Sequence, residues 1–196
     1  MLVEIDKAIL RHIEEHKAAT IKQIQRIFYR QFNNEDGYTY ARRKLRHLEE
    51  QEILKSYDNN ITKQKVYYMD KKLSAHDLFR LDFYSMLIYI GAEIIEFKKP
   101  HYFNNTFNPD AFAAFGYGGL GYTVLLEVDW KHVSTSMGRM QMYEKLYREA
   151  DWKKEFYGRF PRIVIMGVNP LMYSSKNFTV VRLGLNLADF DRVLLK

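Results

Sequence analysis

The 196-residue sequence contains no cysteine. That absence excludes disulfides and thiolate metal sites, and it fits a reducing compartment. Long apolar runs are missing too, with no segment near the ~20 residues of a membrane span. The first residues, Met1-Leu2-Val3-Glu4-Ile5-Asp6-Lys7, put acids where a signal peptide needs a basic and then an apolar run. These absences lead to the expectation of a cytoplasmic protein. With only scattered histidine, zinc is not expected either. No internal repeat or low-complexity segment is present.

What is present is an ordinary globular balance, 47% hydrophobic and 28% charged, with aromatics raised to 15%. Rings of that number fill a core or stack on nucleotides, so the count alone does not choose between them. Thirty Lys and Arg against 24 Asp and Glu give +6 and a pI near 9.3. The excess suits a polyanionic partner, but its location decides more than its total.

Periodicity predicts a helix over Leu2–His16 with a stripe of Ile5, Ala8, Ile9, His12 and Ile13. A short second helix is predicted behind Thr20 as N-cap, its inner face Ile21, Ile24, Ile27 and Phe28. The polar stretch from Asn33 to Gly37 reads as a turn, and a third helix follows with Tyr38, Ala41, Leu45 and Leu48 on one side. Ile53–Tyr57 and Lys65–Met69 read as a hairpin closed by Asp58-Asn59-Asn60. Three helices and then a hairpin is winged-helix order, so residues 1–72 are expected to form a DNA-binding domain. Residues 73–196 are expected to form a second domain, α-β-β-β-α-β in order, giving an α+β protein overall. Ser74 with Asp77 opens its first helix, to about Tyr89. Strands are expected at Ala92–Phe97, Asp110–Phe115, Tyr122–Asp129, Arg162–Val168 and Phe178–Leu183, with a helix from Ser134–Ser136 through Ala150. The glycine-rich stretch from Gly116 to Gly121 lacks the lysine of a phosphate-binding loop and precedes a strand, so it reads as a hairpin turn.

At about 100° per residue the third helix sorts itself. Thr39, Tyr40, Arg43, Arg46 and His47 fall opposite the apolar side, with Arg42 and Lys44 on the flanks. A helix in the major groove needs hydrogen-bonding side chains outward and basic flanks for phosphates. Asn59, Asn60, Lys63 and Lys65 at the hairpin suit a neighbouring groove or backbone. The competing reading of the basic cluster is a solvated face, or a protein-interaction module.

Asp110 opens one predicted strand, and Glu127 and Asp129 share a face of the next, since alternate residues point the same way. Three carboxylates near a strand end make a candidate Mg²⁺ or Mn²⁺ site, and Lys131 follows in the same parity. The bland alternative is that Asp110 and Glu127 simply pair with Arg139. Tyr143 and Tyr147 lie one turn apart among Met140 and Leu146, a spacing that favours packing over a DNA-nicking nucleophile.

In these residues the chain resembles the replication-relaxation family of plasmid and integrative-element proteins. The resemblance lies in Tyr38-Thr39-Tyr40-Ala41-Arg42-Arg43-Lys44-Leu45, Val66-Tyr67-Tyr68, His76, Asn108-Pro109-Asp110-Ala111, Leu125-Leu126-Glu127-Val128-Asp129 and Arg139-Met140-Gln141-Met142-Tyr143. It implies a winged helix ahead of a nuclease-like domain, and DNA binding linked to replication or transfer of mobile DNA. The element order also resembles the PD-(D/E)xK nuclease core, with Pro109-Asp110 and Glu127-x-Asp129. There the chain departs from the pattern: Asp129 stands where the motif has lysine. Lys131, Arg139 or Lys145 would have to supply a displaced cation, and arginine does not deprotonate to act as a base.

The expectation drawn is a sequence-specific duplex-DNA-binding homodimer without a catalytic residue or obligate cofactor, working with other replication or transfer proteins. The alternatives are a metal-dependent DNA endonuclease targeted by the winged helix, with Asp110, Glu127, Asp129 and Lys131 as its site, and a dimeric transcription regulator.

Overall fold

A computed structural model describes residues 2–99, 108–130, 133–149 and 151–195, with the backbone alone over 133–136. It is a mixed α+β protein with two sheets and seven helices among the described residues. None of those helices is long and apolar enough to cross a membrane. The chain divides into two compact units, Met1–Tyr89 and Ile90–Lys196.

In the first unit, helix α1 (Glu4–His16) buries Ile9 and Ile13 and is capped by Asp6, whose Oδ2 accepts the Val3 N–H at 3.0 Å. Lys17, in the left-handed region at φ 75°, ends it. Strand β1 (Ala18–Thr20) runs straight into α2 (Ile21–Phe28) through a capping box. Thr20 Oγ1 accepts from the Gln23 amide at 3.2 Å, and Gln23 Oε1 accepts from the Thr20 amide at 3.0 Å. Helix α3 (Asn34–Glu50) starts inside the stretch expected to be a turn. Asn33 is its N-cap, accepting the Asp36 N–H at 2.9 Å, so the polar run supplies the cap and first turn of the helix. Strands β2 (Lys55–Asn59) and β3 (Gln64–Tyr68) form the expected hairpin, and β1 adds to β3 to give the order β1-β3-β2. Ile9, Ile13, Ile24, Ala41, Leu45, Leu48, Leu54 and Tyr67 make a common core.

Helix α4 (Ala75–Tyr89) belongs to this first unit, so the boundary falls after Tyr89 and not after Lys72. Polar links to α2 explain the placement. Gln23 Nε2 donates to Leu78 O at 3.1 Å and to Asp82 Oδ1 at 3.0 Å, and Arg26 donates to Ser85 Oγ at 3.1 Å. Ser74 and Asp77 cap α4 as the sequence suggested, Ser74 Oγ accepting the Asp77 amide at 3.1 Å.

The second unit is a five-stranded sheet in the order β4-β5-β6-β7-β8. Strands β4 (Glu93–Lys98), β5 (Ala111–Tyr117) and β6 (Leu120–Asp129) form an antiparallel meander; β7 (Arg162–Gly167) and β8 (Val180–Gly184) continue it in parallel. Gly118 and Gly119, at φ 57° and 79°, form the two-residue turn between β5 and β6. The parallel β6–β7 pair needs a crossover, supplied by α5 (Val133–Glu149) and the short α6 (Trp152–Glu155). Met140, Tyr143 and Leu146 of α5 pack on Phe112, Ala114, Leu125, Ile163 and Ile165. Gly167 lets β7 pass close to β6, because a Cβ there would lie 2.2 Å from the Asp129 carbonyl oxygen. Helix α7 (Phe190–Leu194) closes the unit.

Candidate nucleic-acid interface and buried carboxylate site

Ala41, Leu45 and Leu48 are fully buried, which fixes the rotation of α3 and turns Thr39, Tyr40, Arg42, Arg43, Arg46 and His47 outward. The basic group is brought together on one exposed face. Arg46 Nε meets Glu50 Oε1 at 2.8 Å in an exposed i,i+4 pair, worth no more than about 1 kcal/mol and readily exchanged for another anion. Arg43 carries its guanidinium 5.4 Å above the Tyr40 ring. Tyr38, expected on the buried side, is exposed and lines an open cleft with Thr39, Lys22, Glu35 and Tyr89.

Lys44 does not join this face. Its Nζ lies 2.8 Å from Asp6 Oδ1, and Asp6 is almost wholly buried. Burial alone would push the Asp6 carboxyl up, but the Lys44 ammonium and the Val3 amide hold it below its ordinary value. One flank of the basic run is therefore spent tying α3 to α1.

The hairpin divides in the same way. Asn60 and Lys63 are exposed. Asn59 Oδ1 instead accepts from the Ile61 and Thr62 amides, each at 3.0 Å, and so shapes the turn. Lys65 Nζ pairs with Glu49 Oε2 at 2.8 Å, and Ser56 donates to Glu49 Oε1 at 2.5 Å. Burial pushes Glu49 up, yet these two donors keep it below the usual carboxylate range.

In the second unit, Glu127 is only 3% exposed. Its Oε1 accepts from the Tyr143 hydroxyl at 2.5 Å, and its Oε2 accepts from Arg139. Arg139 also donates to Asn108 O at 3.2 Å. Asp110 Oδ2 accepts the Val128 amide at 2.7 Å. Burial lifts Glu127 to about 8, with the Asp110 charge adding to the rise while Arg139 and Tyr143 oppose it. Tyr143, fully buried, is pushed well above the ordinary phenol value.

This geometry does not fit a divalent cation. Both Glu127 oxygens are taken by cationic or hydroxyl donors, and one Asp110 oxygen is held by a backbone amide. Among the described residues no group of three His, Asp or Glu side chains is arranged to hold a metal ion. The cluster of Asp110, Glu127 and Asp129 that strand parity allowed is therefore replaced by an Arg139–Glu127–Tyr143 arrangement. Lys131 lies outside the described residues. The sequence allows the Arg139 pairing, but the helical spacing of Tyr143 favours packing over a DNA-nicking nucleophile and does not reveal a hydrogen bond to Glu127. The Tyr143 hydroxyl, one helical turn after Arg139 and on the same face, was the signal available.

No protein-family model matches this chain, and no curated protein matches it.

Proposed function

We propose that the chain is a sequence-specific duplex-DNA-binding protein in which Met1–Tyr89 acts as a winged helix-turn-helix. In this reading α3 is the recognition helix and the β2–β3 hairpin is the wing. One observation carries it: Arg42, Arg43 and Arg46 are exposed on a helix whose opposite face, Ala41, Leu45 and Leu48, is wholly buried. Arginines so displayed have the two-donor geometry that pairs with guanine O6 and N7, and their neighbours suit phosphates. Titration of labelled duplex with wild type, Arg43→Ala and Arg46→Ala tests the reading. Each variant is expected to weaken specific binding by roughly 1–3 kcal/mol. Unchanged affinity in both removes α3 from the interface.

The second unit, in this proposal, has a core of PD-(D/E)xK type that has become a scaffold for assembly. The antiparallel meander, helical crossover and parallel strand support that relation. The Arg139–Glu127 pair supports a non-cleaving role over the endonuclease alternative. Because a single winged helix covers little DNA, a homodimer on a two-fold site is the expected form. Light scattering showing only monomer at tens of micromolar (roughly where weak dimers appear) counts against it. The resemblance to replication-relaxation proteins supports a place in replication or transfer of bacterial mobile DNA, alongside other proteins of that process in the cytoplasm.

A further inference from the structure

The α3 face carries more than charge. Phe32 and Tyr40, at 42% and 38% exposure, are large rings left at the surface beside the exposed arginines. Their ring centroids are 4.9 Å apart. Behind them Tyr29 is buried, its ring 6.0 Å from Tyr40 and nearly parallel to it at 24°. The three rings therefore form a ladder that grows out of the core of the first unit and ends at the surface. Arg43, one turn after Tyr40 on the helix, lays its guanidinium over the outer part of that ladder at 5.4 Å.

We propose that Tyr29, Phe32 and Tyr40 form an aromatic platform that holds Arg43 ready to read guanine and presents its own edge to the neighbouring base pair in duplex DNA. This rests on the assignment of α3 as the recognition helix. The physical case begins with Arg43. A long side chain on an exposed helix face samples many rotamers, and a bidentate contact needs one of them. A ring below the guanidinium narrows that choice before DNA arrives, and the ring is itself fixed because Tyr29 anchors it to the core. Tyr40 is then a positioning residue, acting through Arg43. Phe32 is a hydrocarbon ring left 42% exposed, and the apolar feature of the major groove is the thymine C5-methyl. Single-stranded DNA would instead need open ring faces for base stacking. Tyr40, packed against Tyr29, Phe32 and Arg43, has little face left to offer.

The full chain is used to select a site from random duplex, and binding to that site is measured with single-atom base changes. Replacing guanine by 7-deazaguanine removes the N7 acceptor; replacing thymine by uracil removes the methyl. For wild type, one 7-deazaguanine position is expected to weaken binding about tenfold. Arg43→Ala should be indifferent to that same change. Tyr40→Leu should lose most of the penalty, whereas Tyr40→Phe, which keeps the ring, should retain it. Phe32→Ala should no longer distinguish thymine from uracil next to that guanine. Circular dichroism melting checks that each variant is folded, and the wild-type measurement stands without any variant. The platform is overturned if Tyr40→Leu, folded, shows the wild-type penalty, or if no guanine N7 matters to wild type, even with duplex binding intact. Absence of duplex binding by wild type, or preference for single strands, overturns the recognition-helix assignment and the platform with it.

Discussion

Lys44 Nζ sits 2.8 Å from Asp6 Oδ1 and ties the middle of α3 to the first turn of α1. This contact separates two kinds of basic residue within one run of sequence. Lys44 neutralises a carboxylate that is nearly out of water; its neighbour Arg43 faces solvent. Lys44→Ala is expected to leave Asp6 buried without its cation and to lower stability by about 1–3 kcal/mol, with DNA affinity changed little. Arg43→Ala should do the reverse, sparing the melting temperature and weakening DNA binding. Paired thermal melts and duplex titrations make the comparison. A Lys44→Ala protein that melts like wild type but binds DNA tenfold worse would put Lys44 back in the interface.

A second expectation concerns acid. His12 is packed among His16, Phe28 and Tyr84, with ring centroids 4.5, 5.9 and 6.2 Å away. Burial, and then the nearby His16, hold His12 down at about 3. Burial lowers His16 as well, with Glu15 pulling it up and Arg80 pushing it down. Both rings are neutral in the folded protein at pH 7, while the unfolded chain begins to protonate them near pH 6.5. Protons therefore bind the unfolded state first. Stability is full above about pH 6.5 and falls as the pH drops toward 3. The urea midpoint should decline between pH 7 and 5, a window above that of the depressed carboxylates Asp6 and Glu49. Glu127, raised to about 8, works in the opposite direction over this window, so the informative quantity is a difference. His12→Leu should remove most of the decline; a slope equal to that of wild type refutes this account.

The elements most legible in the sequence were those with a local physical cause. Thr20 as an N-cap, Ser74 followed by Asp77, and the Ala41–Leu45–Leu48 stripe each announce a helix within a few residues. What stayed hidden depended on partners distant in sequence. Strand β1 is three residues long and exists because β3 pairs with it. Helix α4 reads as the start of a second domain until Gln23 and Arg26 are seen reaching it from α2. Lys44 and Lys65 look like DNA ligands because nothing local reveals Asp6, or Glu49, across the fold. The same holds for Glu127. Strand parity says only that Glu127 and Asp129 share a face of one strand; that Arg139 and Tyr143 meet Glu127 depends on how a crossover helix packs.

The hairpin offers a cleaner test of phosphate contact than its composition suggested. Lys63 is exposed and sits at φ 55°, whereas Lys65 is already paired with Glu49. Asparagine tolerates the left-handed region well, so Lys63→Asn removes the charge without straining the turn. It is expected to weaken binding to all sequences alike and to flatten the salt dependence by roughly one phosphate contact, a slope change of about 0.9. Lys65→Ala should alter that slope less. If Lys63→Asn leaves the slope untouched, the wing does not touch the DNA backbone.

The last expectation concerns Arg139 and Glu127. Glu127 is raised to about 8 by burial and by Asp110, even with Arg139 against it. Removing the guanidinium takes away the chief opposing charge, so in Arg139→Ala the folded-state value rises further. A carboxyl whose folded value exceeds its unfolded value near 4.3 costs stability above that unfolded value, by an amount that grows with pH until the folded group itself ionises. Below about 8 the folded carboxyl keeps its proton in both proteins, so the deficit of Arg139→Ala should be level between pH 5.5 and 7 and grow as the pH rises through 8. Thermal melts of both proteins at pH 5.5, 7 and 8.5 measure it. A deficit constant across that range would mean that Arg139 contributes packing alone. The same pairing sets the expectation for metal. With Arg139 and Tyr143 on its two oxygens, wild type should gain no thermal stability from Mn²⁺ and should not cleave duplex or single-stranded DNA with Mg²⁺ or Mn²⁺. Robust Mn²⁺-dependent cleavage that disappears in Glu127→Ala would reverse the assignment, because it would require Arg139 to leave Glu127 and a metal to take its place.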